Sequence, residues 1–98
     1  MKYFDWDDAK NAKLRTERGI GFEDIVFHIE RGDLLDILEH SNPSRYAGQR
    51  IFVIRRGDDV YLVPFVEDEH TAFLKTIIPS RKATKQYLGE ESDDEDGR

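Results

Sequence analysis

Apolar residues recur at Phe22, Ile25, Val26 and Ile29, the i, i+3, i+4, i+7 spacing of one helix face. Glu23 and Asp24 suit the positive end of that helix, and Gly32 ends it. Upstream, Asp7 is a good cap for a helix from about Asp8 to Arg18, with Gly19 as its stop. Its apolar face is thin (Ala9, Ala12, Leu14), and Lys10, Lys13, Arg15 and Arg18 make it basic. Arg18-Gly19-Ile20-Gly21 joins the two helices tightly. No strand precedes this Gly pair, so it reads as the turn of a helical hairpin rather than a phosphate loop. Tyr3 to Trp6 predicts a short strand or anchoring arm, with the single Trp6 packing against the core or its hinge.

From Asp33 the period changes. Leu34–Glu39 predicts a first strand, although its leucines also suit a helix extension. Ser41-Asn42-Pro43-Ser44 breaks it, and a loop runs to Gly48. Residues 50–55 carry Ile51, Phe52, Val53 and Ile54 in a row, too apolar for an edge, so this strand is central. Gly57-Asp58-Asp59 turns the chain into Val60–Val66, where Pro64 lacks a ladder donor and implies a bulge or an unpaired side. Glu67-Asp68-Glu69-His70 is the next turn, and Thr71–Ile78 the last strand, its Ile77 and Ile78 covered on both faces and Pro79 ending the ladder. Ser80 then caps a third helix over about Arg81–Leu88, stopped by Gly89. The expected fold is α+β: two N-terminal helices, an antiparallel sheet of about four strands, and a C-terminal helix. The helices should cover one face of the sheet.

Ninety-eight residues make one small domain, here residues 1–91. Residues 92–98 read as an acidic, disordered tail with no apolar side chain to bury. The absence of cysteine excludes disulfides and thiolate metal sites and fits a reducing cytoplasm. No run is apolar enough to span a bilayer, and the opening residues do not resemble a signal peptide, so no membrane partner is expected. The net charge of -6 is misleading, because residues 89–98 hold -5 of it and leave residues 1–88 at -1. A nearly neutral body with clustered cations remains compatible with RNA.

The densest cation cluster lies at the last strand-to-helix junction. Arg81 and Lys82 would occupy the first turn of a helix whose N–H groups already carry positive charge. No acidic residue occurs between Thr71 and Leu88 to offset them, and a bound phosphate would resolve the conflict. The plainer alternative is a basic surface helix paired with carboxylates from elsewhere. RNA cleavage through the 2′-hydroxyl needs a base, stabilisation of the phosphorane, and a proton for the leaving oxygen. Arg50, Arg81 and Lys82 suit the phosphorane, with Lys75 able to assist. Glu67, Glu69 and His70 are the nearest acid–base groups, although such residues also build ordinary hairpin turns. His28 and His40 read as structural or solvated. The Glu67–His70 turn offers hard ligands, but no second cluster completes a metal site, so neither metal nor other cofactor is expected.

Four segments together resemble one family. Trp6-Asp7 with Lys10-Asn11, Arg18-Gly19-Ile20 with Phe22-Glu23-Asp24, Gly48-Gln49-Arg50, and Ile77-Ile78 with Ser80-Arg81-Lys82-Ala83-Thr84 look like the BrnT toxins of type II toxin–antitoxin systems. The likeness covers about residues 3–88 in order. It implies a RelE-like fold and a metal-independent ribonuclease toxin. It also implies a ribbon–helix–helix antitoxin that neutralises the toxin and carries it to operator DNA. Lys10, Arg50, Arg81 and Lys82 fall on basic positions of the family motifs, and Lys75 and Lys85 extend the basic surface for RNA. Arg18 replaces the family's histidine, and Pro79 and Arg45-Tyr46-Ala47 also set this chain apart. The competing expectations are a domain of the same fold that binds antitoxin or RNA without cleaving it, and an interaction module unrelated to RNA.

Overall fold

A computed structural model describes residues 3–39 and 48–89. The chain runs β1 (Tyr3–Asp5), α1 (Asp8–Arg18), α2 (Phe22–Glu30), β2 (Leu34–Glu39), β3 (Gln49–Arg56), β4 (Asp59–Glu67), β5 (Thr71–Leu74), β6 (Ile78–Pro79) and α3 (Arg81–Leu88). It is an α+β fold with one mixed sheet in the order β1-β5-β4-β3-β2, β6 pairing with β4 beyond the end of β5. The expected helices have the expected caps. The Asp7 carboxylate accepts from the Lys10 N–H at 2.9 Å, and Gly19 closes α1 at φ 71°, a left-handed conformation that glycine adopts without strain.

Asn11 holds the helical hairpin. Buried on the inner side of α1, its amide donates to both Glu23 carboxylate oxygens at 3.0 and 2.9 Å and accepts from the Phe22 N–H at 2.7 Å. Arg15 reaches the same carboxylate at 2.9 Å, and Asp24 caps the Gly21 N–H. A Cβ on Gly21 would lie 2.7–2.8 Å from Arg15, Asn11 and Glu23, so no larger residue fits without movement. Asn11 of the first motif and Glu23 of the second are therefore scaffold.

Three expectations are corrected. The sheet is not a plain antiparallel meander, because β1 pairs with β5 in parallel, Tyr3 opposite Thr71. The last strand is not continuous. β5 stops at Leu74 and pairing with β4 resumes only at Ile78, across from Leu62. Pro64 explains the gap. Its carbonyl accepts from the Lys75 N–H, so its missing N–H faces the same side, where the ladder lapses. Pro79 does not end the ladder. It lies opposite Tyr61, and the next N–H, from Ser80, still bonds to Val60. Ile77 is buried in the gap, whereas Ile78 is 41% exposed rather than covered.

The third correction has the largest consequence. Leu14, Ile20, Phe22 and Ile25 from the helical hairpin pack with Phe52, Ile54, Val63, Phe65, Ala72 and Leu74 on one face of the sheet. Trp6 joins this cluster, stacked on Phe22 at 5.7 Å. The alternate residues Val53, Val60 and Leu62 face the other way and receive Ala83, Tyr87 and Leu88 of α3. The helices thus cover both faces, not one. The apolar run in β3 is long enough to need cover on each side. His40, the stretch Arg45-Tyr46-Ala47 and the acidic tail fall outside the described residues.

Candidate nucleic-acid interface

Two-sided packing divides the basic residues singled out from the sequence. Arg50 shares its face with Phe52 and the helical hairpin, as does α1 with Lys10. Arg81, Lys82 and Lys85 ride on α3 across the sheet. Lys75 points to the α3 side as well, its ammonium 5.7 Å from the centre of the Phe73 ring. Arg50 and Arg81 are also separated lengthwise. Arg50 lies opposite Phe65, and α3 begins beside Val60. Five residues of extended strand place these points about 17 Å apart. Arg50, Arg81 and Lys82 therefore do not converge on one phosphate.

At the first end, Arg50 meets a residue nominated as a base. Its guanidinium is ion-paired with Glu67 and lies 5.5 Å from the centre of the Phe65 ring. Glu39 of β2 sits directly across from Arg50 in the register, so carboxylate-bearing strands flank it on both sides. Phe65 itself stacks on Phe52 with centroids 3.8 Å apart, which fixes the floor beneath the pair. His70 belongs to the neighbouring β4–β5 turn. Its backbone N–H is tied to Asp68 at 2.9 Å and its carbonyl accepts from the Tyr3 N–H. Its ring is 81% exposed, with Glu69 at 3.6 Å. Among the described residues this end pairs Arg50 with Glu67, with the exposed His70 imidazole on the neighbouring turn.

The other end of the sheet is the β3–β4 turn. The Ser80 hydroxyl accepts from the Ala83 N–H at 3.0 Å and so caps α3. Thr84 fastens the helix to the sheet, donating to the Ser80 carbonyl at 2.8 Å and accepting from the Val60 N–H at 2.9 Å. Arg81 and Lys82 project from this first turn, exposed, with no acidic residue in the turn and no ion pair among the described residues. A shallow depression of about 420 Å³ lies beside them, with Tyr61, Ser80 and Arg81 on its wall and one carboxylate, Asp59, at its edge. Helix dipole and two exposed cations make this a suitable place for phosphate oxygens.

Sequence reasoning passed over a group on the hairpin side of the same sheet end. His28, Arg31, Asp33 and Arg55 come together there around a second depression. The available signal was a histidine in the last helical turn followed, past the Gly32 stop, by an aspartate. Among the described residues there is no group of three or more histidine, aspartate or glutamate side chains suited to holding a metal ion. Among the described residues no helix is long and apolar enough to cross a membrane. No family model, curated protein or solved structure matches this chain.

Proposed function

We propose that this domain is a cytoplasmic ribonuclease toxin of the BrnT type. In this reading it cleaves RNA without a metal and is neutralised by a ribbon–helix–helix antitoxin, through which alone it reaches operator DNA. The observation that carries the reading is the start of α3, where a Ser80-capped helix presents Arg81 and Lys82 with no carboxylate paired to either among the described residues. The order of helices and strands agrees with that expected from the four motifs. The half-exposed Leu35, Ile37 and Leu38 on the edge strand β2 offer apolar surface that an antitoxin would cover.

In the reaction, Arg81 grips two phosphate oxygens through its planar fork while Lys82 adds a point charge. Both interactions strengthen as the phosphorane gathers negative charge, which is the condition for lowering the barrier. Lys75 and Lys85 lie on the same side of the sheet and hold the adjoining backbone. Incubation of the purified protein with total RNA, with and without EDTA, tests the proposal. Cleavage should occur in both, and intact RNA in both would count against it.

One observation favours the binding-only alternative. Arg50, at a basic motif position, is neutralised by Glu67 rather than open to a substrate. A domain that retains RNA in a salt-dependent way without cutting it would fit this second reading.

A further inference from the structure

The sheet face that carries α3 continues well past the helix. The strand register sets Ile51, Pro64, Val66 and Phe73 on that face, and none of them belongs to either core cluster. All four are half-buried. Leu38, across from Ile51 on β2, is 37% exposed and extends the apolar patch to the sheet edge. On the other flank β1 places Asp5 beside Phe73 on the same face, since Phe4 before it turns into the hairpin core. A depression of about 400 Å³ lies there, with Asp5, Val66, Thr71 and Phe73 around it and Glu67 and Asp68 on the adjoining turn.

Lys75 stands next to this depression. Its ammonium is 5.7 Å from the centre of the Phe73 ring, and it is exposed, with no ion pair among the described residues. Its backbone N–H bonds to the Pro64 carbonyl, between Val66, which pairs with Phe73, and Val60, where α3 begins. Phe73, Lys75 and Arg81 thus follow one another down one face, over about 20 Å of extended strand. Of the three carboxylates, Glu67 is paired with Arg50, and Asp68 accepts from the His70 and Thr71 N–H groups. Asp5 is anchored through one oxygen, which accepts from the Trp6 N–H at 2.8 Å, and its other oxygen has no hydrogen-bond partner among the described residues.

We infer that Phe73 and Asp5 form a guanine-binding subsite on a single-stranded RNA path that leads to Arg81. The inference rests on the ribonuclease reading and adds a base preference to it. The aromatic ring supplies a stacking surface that any base can use, because every base has a π face. Selection comes from the base edge. Guanine presents two adjacent donors, N1–H and the N2 amino group, and a carboxylate, which only accepts, takes both. Adenine and cytosine set an acceptor nitrogen beside their amino group, and uracil sets a carbonyl on each side of its N–H, so each turns a lone pair toward the charge. The phosphate beside the stacked base meets Lys75, whose flexible stem lets the ammonium move from the ring to the phosphate oxygens. The carboxylates of the adjoining turn repel the backbone, so its phosphates keep to the line from Lys75 to Arg81.

The test uses labelled single-stranded oligoadenylate carrying one central guanine, with binding read by fluorescence anisotropy and cutting by gel. The wild-type chain should bind it more tightly than plain oligoadenylate and cut at one fixed position relative to the guanine. Inosine, which lacks the N2 amino group, should remove part of the preference. Asp5→Asn keeps an oxygen for the Trp6 N–H and should abolish the preference while leaving affinity for oligoadenylate unchanged. Phe73→Leu keeps the apolar bulk without the ring and should weaken binding of every sequence by about 5- to 150-fold, and Phe73→Trp should retain it. A folded F73L that binds as wild type, or a D5N that still prefers guanine, overturns the subsite. If F73L unfolds, D5N and the inosine substrate decide alone. Wild-type protein that cuts without regard to guanine overturns the subsite and leaves the ribonuclease reading intact. Guanine-selective binding without cutting supports the subsite and overturns that reading instead, and failure to bind RNA overturns both.

Discussion

The Arg18 guanidinium donates to the carbonyl of Ile77, joining the end of α1 to the break between β5 and β6. The two residues are 59 positions apart. Ile77 lies where Pro64 leaves the sheet unpaired, so its carbonyl has lost its place in the ladder and takes a side-chain donor instead. Arg18 is thus committed to structure. Arg18→Ala should lower stability by about 1–2 kcal/mol, since a partly buried carbonyl loses a charged donor. Urea denaturation measures this, and an unchanged midpoint would show that water substitutes fully.

Asn11→Ala should cost more, about 2–3 kcal/mol, because it strips a buried N–H and the Glu23 carboxylate of their partner together. Gly21→Ala should be comparably damaging, through contact with Asn11, Arg15 and Glu23 rather than through backbone conformation. Thermal melts of the two variants check both expectations, and a Gly21→Ala protein as stable as wild type would mean that Arg15 and Glu23 swing aside freely.

The same cluster sets an acid limb of stability. Glu23 is held below its ordinary value of 4.5, first by the Asn11 amide, then by its own backbone N–H, with Arg15 adding to them. A carboxyl depressed in the folded state stabilises above its unfolded value and loses that contribution as pH falls through the folded one. The stability gap between wild type and N11A should therefore be full at pH 6 and shrink below about pH 4.5. Equal gaps at pH 6 and pH 3 would remove Glu23 from the account.

Arg81→Ala should leave the melting temperature unchanged or raise it slightly, because a cation leaves the positive end of a helix. RNA cleavage should fall by about 10²–10³-fold, and Arg81→Lys should recover only part of it. Loss of folding in Arg81→Ala would make it a structural residue.

Arg50→Ala should behave in the opposite sense. It leaves the half-buried Glu67 without its guanidinium and should destabilise by about 1 kcal/mol, with Glu67→Gln restoring part of the loss. A double-mutant cycle measures the coupling. Additive effects would show that the pair contributes nothing to folding.

Local signals account for what was legible in the sequence. Asp7, Gly19 and Ser80 act on residues within one turn, so both ends of α1 and the start of α3 could be placed without tertiary information. Strand identities followed from apolar runs, and Pro64 marked an unpaired side. What could not be read was set across the sheet. Arg50 and Glu67 meet because β3 and β4 pair Gln49 with Val66 and Arg50 with Phe65, a register that no local spacing specifies. The placement of α3 did leave a trace. Ile51 to Ile54 is apolar at every position, which requires cover on both faces, and Ala83 with Tyr87 forms the matching helical stripe. The His28–Asp33 pair spans a helix stop, so helical periodicity alone does not join the two residues.

The unequal packing on the two faces of the sheet has a further consequence. The helical hairpin shares a large cluster with five strands, while α3 rests on a small one of Val53, Val60 and Ala83 with a few half-buried neighbours. Opening α3 would expose little apolar surface and would leave the larger core closed. Its amides should exchange with deuterium well before those of β3 and β4. The Thr84 hydrogen bonds and the one from Tyr87 to Asp36 act as latches on that motion. The basic end of α3 is thus carried on the part of the domain that can let go first.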